Sequence, residues 1–414
     1  MLLRLTSLLG LCTFLGIAWA LSQDRRRFPW RTVGWGLGLQ FATALFILKT
    51  PIGEGLFAGA QRVVDQLNVH AIAGARMVWG PLADAGTLTK GFGPENAFIF
   101  AISISATIIL VSALSSLLYH WGILQRVVHA MAWVMQRAMG TTGSESLAAA
   151  SNIFLGQTEA ALVVKPYLAK MTRSELMALM ITGMSTIASG VLVVYAQMGV
   201  SAGHLLTASV LSAPAGLIIA KIMLPETAPS ETAAERSATV PPTTVNGIDA
   251  LCQGTSDGIA MAINVLGMLI AFVAVVAVAN GLFGWVQSLV GIAAPVTLEN
   301  VIGWIHAPLA WLLGVPARDC VAVGQFLGER VVLNEFVGYM HLAEKRAVLD
   351  PRSFVLASYA LCGFANFASI AIQIGGIGAL VPERRTELAQ LGLRAMVGGL
   401  LGCYVTACVV GVLL

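Results

Sequence analysis

The sequence predicts an all-α polytopic membrane protein with eight transmembrane helices and two re-entrant hairpins that enter from opposite faces. Three observations lead there. Of 414 residues, 57% are hydrophobic and 11% are charged, whereas soluble domains carry about 25% charged residues. Apolar runs of about 20 residues, the length that crosses a hydrocarbon core, recur along the chain. Two more polar, interrupted segments break the series, and the same short signature follows each of them.

The bulk properties exclude several classes. A net charge of +3 gives no reason to expect nucleic acid as a partner. Cys12, Cys252, Cys320, Cys362, Cys403 and Cys408 form no CxxC pair and mostly sit in apolar runs, as small buried hydrophobes do. The six histidines lack metal-ligand spacing. Gly34-Trp-Gly-Leu-Gly38 follows no strand and is no dinucleotide loop. Gly140-Thr-Thr-Gly-Ser-Glu145 lacks the Gly-Lys-Ser/Thr ending of a phosphate loop, so nothing points to ATP as the driving force.

Residues 1–21 resemble a signal peptide, with Arg4 ahead of an apolar core and Ala18-Trp19-Ala20 mimicking a cleavage site. Arg25, Arg26, Arg27 and Arg31 follow that core, however. The positive-inside rule therefore holds the next loop in the cytoplasm and makes the segment an uncleaved first span with its N-terminus outside. Residues 33–48 form the second span. Residues 51–90 mix apolar positions with Glu54, Arg62, Asp65, Arg76 and Asp84, which suits a helix lying along the interface. Residues 97–118 form the third span and end inside, near His120, Arg126 and Arg137.

Residues 141–168 are only moderately apolar. They carry Glu145, Asn152, Gln157 and Glu159, are broken at Gly143 and Gly156, and have basic residues at both ends. Such a segment enters and leaves on one side as a re-entrant hairpin, which is permitted only where protein or a cavity satisfies its backbone. Residues 175–196 and 205–224 are spans four and five, and the Pro- and Thr-rich stretch 225–245 is a flexible cytoplasmic linker. Residues 258–285 are span six. Residues 317–346 repeat the odd pattern with Asp319, Gln325, Glu329, Arg330, Asn334 and Glu335. Spans seven (354–380) and eight (391–414) are joined by the basic turn Pro382-Glu-Arg-Arg385. The chain then divides into N-terminal scaffold spans with interfacial helices (1–140), a first repeat (141–224), the linker (225–257), scaffold span six with a connecting segment (258–315) and a second repeat (316–414).

Three spans separate the two hairpins, so the hairpins enter from opposite faces. Gly183-Met-Ser-Thr-Ile-Ala-Ser189 after the first matches Gly363-Phe-Ala-Asn-Phe-Ala-Ser369 after the second at the glycine, the alanine and the serine. Two such units form an inverted repeat, the means by which many secondary transporters build a midplane site from broken helices. Lys345 and Arg346 fall outside in this topology, a departure from the positive-inside rule.

Glu159 and Glu335 are the acids whose position demands explanation, because a charge at the membrane centre costs at least about 2.5 kcal/mol. Ser185, Thr186 and Ser189 in span four, and Asn366 and Ser369 in span seven, mark candidate helix breaks. Helix ends that meet at a break offer free carbonyls to a cation and free amides to an anion or hydroxyl. With Asn152 nearby, such a set can make a small oxygen cage for a hard monovalent cation beside a site for a polyhydroxylated neutral substrate.

Asn152-Ile-Phe-Leu-Gly-Gln-Thr-Glu159, Ser185-Thr-Ile-Ala-Ser189, Asn334-Glu-Phe336 and Gly363-Phe-Ala-Asn-Phe-Ala-Ser369 resemble the signatures of the concentrative nucleoside transporters. The resemblance runs from about residue 97 to the C-terminus with matching order and spacing. It implies a homotrimer whose three transport domains move, elevator-like, within a shared scaffold. It also implies that Gln157, Thr158 and Glu159 face the nucleobase with Val191 packed against it. Glu335, Asn366 and Ser369 bind the ribose hydroxyls on the same basis, and Phe364 lines the pocket. For sodium it points to the Asn152 and Thr186 side chains and to the Leu155 and Ile187 carbonyls; Thr186 stands where the family pattern has serine and keeps the hydroxyl. Proton-coupled relatives resemble this chain less, lacking the Asn-Ile-Phe start and having Gln-Ser-Glu at the tip.

The expectation is therefore a symporter in a bacterial-type plasma (inner) membrane that imports nucleosides such as uridine on the sodium gradient, with no cofactor. The nearest alternative is a proton-coupled nucleoside symporter with Glu159 or Glu335 as carrier. An intramembrane hydrolase finds no HExxH, no serine–histidine pair and no metal cluster to support it.

Overall fold

The computed structural model describes residues 1–93, 99–232, 244–289, 291 and 296–414, and all regular elements among them are helical. In chain order these are α1 (Leu2–Ala20), α2 (Trp30–Lys49), α3 (Pro51–Trp79), α4 (Ala85–Phe92), α5 (Phe100–His120), α6 (Ile123–Met139), α7 (Gly143–Asn152), α8 (Glu159–Val163), α9 (Lys165–Leu168) and α10 (Arg173–Ser185). There follow α11 (Ser189–Gln197), α12 (Ala202–Met223), α13 (Gly247–Leu289), α14 (Leu298–Leu312), α15 (Cys320–Val332), α16 (Glu335–Glu344), α17 (Pro351–Leu361), α18 (Phe367–Leu380) and α19 (Arg385–Leu413). Three parts of the expected organisation, the start of span three at 97–98, residues 233–243 of the linker, and residues 290 and 292–295 of the connecting segment, lie outside the described residues.

Local chemistry explains where these helices begin and end. α7 and α10 open with capping boxes, Thr142 with Glu145 and Thr172 with Glu175, in which each side chain satisfies an amide that the helix leaves unpaired. α6 runs between two left-handed glycines, Gly122 and Gly140. Its Val128, Ala132, Met135 and Met139 recur at helical spacing and form the buried stripe. Neither α6 nor α14 stands out in the sequence as a separate element, because each is short and one-sidedly apolar.

Seven segments among the described residues are long and apolar enough to cross a membrane. Two predicted spans are interrupted. Span four is α10 and α11 with Thr186–Ala188 extended between them. Span seven is α17, of 11 residues, and α18, of 14, and neither alone reaches the length of a crossing. α13 begins earlier than expected and, at 43 residues, is about 65 Å long at 1.5 Å per residue.

Burial separates the chain into two kinds of helix. α10, α11 and α12 are almost wholly buried, as is the C-terminal half of α19, a helix packed against α1, α10, α12, α17 and α18. α13 instead lies along α5 and leaves most of its apolar surface bare, including Ile263, Ile270, Val278 and Leu282. The α1 helix is part of the packed body: Phe14 is buried 5.1 Å from the Tyr404 ring, and Ser7 donates to the Leu313 carbonyl at 2.7 Å.

Candidate functional site

The two interrupted helices meet at their breaks. After Ser185 the backbone turns extended at Thr186 (φ −123°, ψ 168°), and α11 restarts at Ser189. The Phe364 amide, in the break between α17 and α18, donates to the Thr186 carbonyl at 3.3 Å. Gly363 makes this approach possible, since a Cβ there would lie 2.8 Å from the Met184 carbonyl oxygen and 2.6 Å from Cys403 Sγ. The Ser189 amide donates at 3.2 Å to the carbonyl of Phe154, in the non-helical stretch between α7 and α8. One bonded junction thus holds both breaks and the first polar segment.

The N-terminus of α18 gathers the predicted substrate residues. Asn366 caps that helix, its Oδ1 accepting the Ser369 amide at 2.8 Å. Its Nδ2 donates at 3.0 Å to Glu335 Oε2, the first residue of α16, and Glu335 Oε1 accepts from the Tyr195 hydroxyl at 3.0 Å. Three residues on, the Ser369 hydroxyl accepts at 3.2 Å from Gln157 Nε2, and Gln157 Oε1 accepts from Gln373 Nε2 at 3.0 Å. Gln157, Glu335, Asn366 and Ser369 are all buried, as is Val191 on α11, while Phe364 in the break is half-buried.

Glu159 stands apart. Its carboxylate accepts from the neighbouring Thr158 hydroxyl at 3.3 Å, and both residues are half-buried. The two glutamates share no hydrogen bond. The segments that carry them are joined instead through α18, by Gln157–Ser369 on one and Glu335–Asn366 on the other.

A second group of oxygens lies where α7 ends. Asn152 Nδ2 donates to Thr182 Oγ1 at 3.2 Å, leaving its Oδ1 buried without a hydrogen-bond partner. Thr186 Oγ1 donates to the Thr182 carbonyl at 2.9 Å. Among the described residues, the backbone bonds of the loops and helix caps leave the carbonyls of Leu155 and Ile187 unengaged. Buried oxygens without donors are uncommon in native proteins and call for an occupant. An oxygen-only, uncharged donor set suits a hard cation of low charge. No group of three His, Cys, Asp or Glu side chains able to hold a metal ion occurs among the described residues.

Two contributors, Gln373 and Tyr195, were not expected from the sequence, and the contacts of a third residue, Arg330, were not foreseen. Gln373 sits one helical turn beyond Ser369, a spacing that could have flagged it; it also donates to the Met180 carbonyl at 3.0 Å. Tyr195 stacks on Tyr339 with centroids 4.2 Å apart and carries no such signal. Arg330 is fully buried, donates to the Ala360 carbonyl near the end of α17 and lies 5.2 Å from the Tyr404 ring centroid.

Comparison with known proteins gives this geometry a family. The model described as "Na+ dependent nucleoside transporter C-terminus" matches residues 204–411, its N-terminal counterpart matches residues 9–82, and a "Nucleoside recognition" gate model matches residues 101–202. An "Uncharacterized transporter" of Haemophilus influenzae is 39% identical over 414 residues, covering 98% of this chain and 97% of that one. The chain belongs to the Na+-dependent nucleoside transporter family. Sodium/nucleoside cotransporter 1 of Mus musculus is 36% identical across 99% of this chain, which spans 64% of that longer protein. Among solved structures of the family, CNTnw in an inward-facing substrate-bound state is 37% identical, with a TM-score of 0.93 and coverage of 99% of this chain and 97% of that one. A CNTnw variant in an outward-facing state gives 0.94 at 36% identity, with coverage of 99% and 97%. Members of this family are membrane transporters, not enzymes, and the all-helical architecture here is theirs.

Proposed function

We propose that this chain is a secondary active symporter that imports nucleosides, uridine among them, across the bacterial inner membrane on the sodium gradient. The observation that carries the proposal is the buried polar junction at the α18 N-terminus, where Gln157, Glu335, Asn366 and Ser369 converge inside an apolar body. Carboxylate, amide and hydroxyl groups facing one another suit a neutral, polyhydroxylated ligand. Glu335, Asn366 and Ser369 take the ribose, while Gln157, Thr158 and Glu159 take the base, with Val191 and Phe364 as apolar walls. Asn152, Thr186 and the Leu155 and Ile187 carbonyls take sodium.

Coupling follows from shared elements. Asn152 ends α7, the helix before Gln157, so an ion that satisfies the orphan Oδ1 also stiffens the stretch that presents Gln157 and Glu159. A half-loaded carrier leaves buried polar groups unpaired at about 1–3 kcal/mol each, which disfavours its crossing. Segments 141–168 and 317–346 act as opposed re-entrant hairpins. Residues 141–224 and 316–414 form the moving domain, carried elevator-like against the scaffold 1–140 and 258–315, with 225–257 as linker, in a homotrimer.

Radiolabelled uridine uptake into proteoliposomes, with sodium and proton gradients imposed separately, tests the proposal. Accumulation should follow the sodium gradient alone. Uptake that ignored sodium but followed protons would reject the coupling ion, and no saturable uptake under either gradient would reject the substrate class.

A further inference from the structure

Next to the α1–α2 loop, whose Arg27 lies beside Gly140 and Thr141, a groove of about 940 Å³ runs between the first turn of α2, α6 and the start of α7. It continues into a second hollow of about 430 Å³, with Arg31, Trp133 and Arg137 lining both. His129 adds a third basic side chain, and no acidic residue lines either hollow. Among the described residues neither Arg31 nor Arg137 is paired with a carboxylate. Arg31 is nonetheless held in place, donating to the Arg137 carbonyl at 3.0 Å and the Ala138 carbonyl at 3.5 Å. The rim has the opposite character. Trp35 and Trp133 are 60% and 62% exposed, and Val134 stands beside them.

We propose that this groove binds the headgroup of an anionic phospholipid. Two guanidinium groups without acidic partners complement a phosphodiester, for which the arginine fork is well shaped. Exposed indoles next to them are the side chains that settle at the headgroup level of a bilayer. A free phosphate would use the arginines and leave the apolar rim bare, whereas a lipid uses both ends. The charge asymmetry of the sequence puts this end in the cytoplasm, where basic pockets between helices take anionic lipids. Bound there, the lipid clamps α6 beside Gly140, the residue through which the chain passes into α7 and on to Asn152 and Gln157. The site does not depend on the nucleoside assignment.

Native mass spectrometry of the full chain, titrated with phosphatidylglycerol or with phosphatidylcholine of the same acyl chains, tests the proposal. The wild type should retain phosphatidylglycerol preferentially. Arg31→Gln with Arg137→Gln should weaken that retention about thirtyfold, given about 1 kcal/mol per basic residue near an anionic lipid surface and two such residues removed. Arg25→Gln with Arg26→Gln, exposed at the same end and outside the groove, should leave it unchanged. Millimolar inorganic phosphate should not displace the lipid. Equal retention of the two lipids by the wild type overturns the proposal without recourse to any variant. Equal loss in the loop-arginine pair reduces the effect to general surface charge, and displacement by phosphate reduces the groove to a free-anion site; either result overturns it as well.

Discussion

Glu335 is the residue on which the proposed substrate recognition turns, because each of its oxygens already holds one donor, Tyr195 or Asn366, from a different helix. Hydrogen bonds to a charged acceptor are worth about 1.5–3 kcal/mol, roughly ten- to a hundredfold in affinity. Glu335→Gln should therefore abolish measurable uridine uptake at substrate levels that saturate the wild type, with the folded protein still recovered in detergent. Tyr195→Phe removes one neutral donor and should raise the half-saturating uridine concentration by about fivefold. Asn152→Ala deletes the orphan Oδ1, so uptake should persist while the half-saturating sodium concentration rises at least severalfold. Wild-type sodium dependence in that variant would remove Asn152 from the ion site. These side chains were legible in the sequence because each is a polar residue inside an apolar run next to a break signature. Tyr195 and Gln373 were not. Their partners lie 140 and 216 residues away, and although Gln373 falls one turn beyond Ser369, neither position shows locally which side chain it faces.

The elements that carry these residues depend on two close contacts of different kinds. Between the breaks, Gly363 lies against the Met184 carbonyl, which belongs to backbone and cannot rotate away. Gly363→Val should force the crossing helices apart and lower the melting temperature in detergent, and it should suppress uptake even where the protein folds. At the base of α7, Lys221 on α12 pairs with Glu145 at 2.6 Å, both side chains almost fully buried. Removing one partner of a buried pair costs about 3–5 kcal/mol, whereas replacing both with apolar groups is often neutral. Lys221→Met should thus destabilise strongly, and adding Glu145→Leu should recover part of the loss, the α7 cap on the Thr142 amide being given up as well; a thermal double-mutant cycle measures the difference. The capping boxes of α7 and α10 rest on local Thr-x-x-Glu spacings that the sequence reading passed over, and the Lys221 pairing has no local sign at all. Nothing local connects a lysine in one apolar helix to a capping acid 76 positions upstream.

Over the whole molecule, the contrast between buried α10, α11 and α12, with the C-terminal half of α19, and the bare apolar face of α13 separates helices that hold the site from one that must be covered by lipid or protein. If copies of the chain provide that cover in a homotrimer, light scattering in detergent, corrected for the micelle, should give three times the 43.4 kDa protomer mass. A monomer mass retained in lipid nanodiscs would leave α13 to lipid alone. Family members occupy both inward- and outward-facing states, and this chain matches each with a TM-score of 0.93 or more.

By itself the sequence determined the membrane, the all-helical class and the positions of both breaks. Those depend on local quantities: the hydropathy of about 20 consecutive residues, charge beside each run, and residues that cannot continue a helix. Only the tertiary structure decided that Gln157 and Glu335 meet at α18 rather than touch Glu159, that Tyr195 and Gln373 join them, and that Arg31 and Arg137 share a groove with Trp35 and Trp133. The physical reason is that apolar helices are interchangeable to local pattern. Which faces meet is settled by close packing and by satisfying every buried polar group, and both bring together residues far apart in the chain.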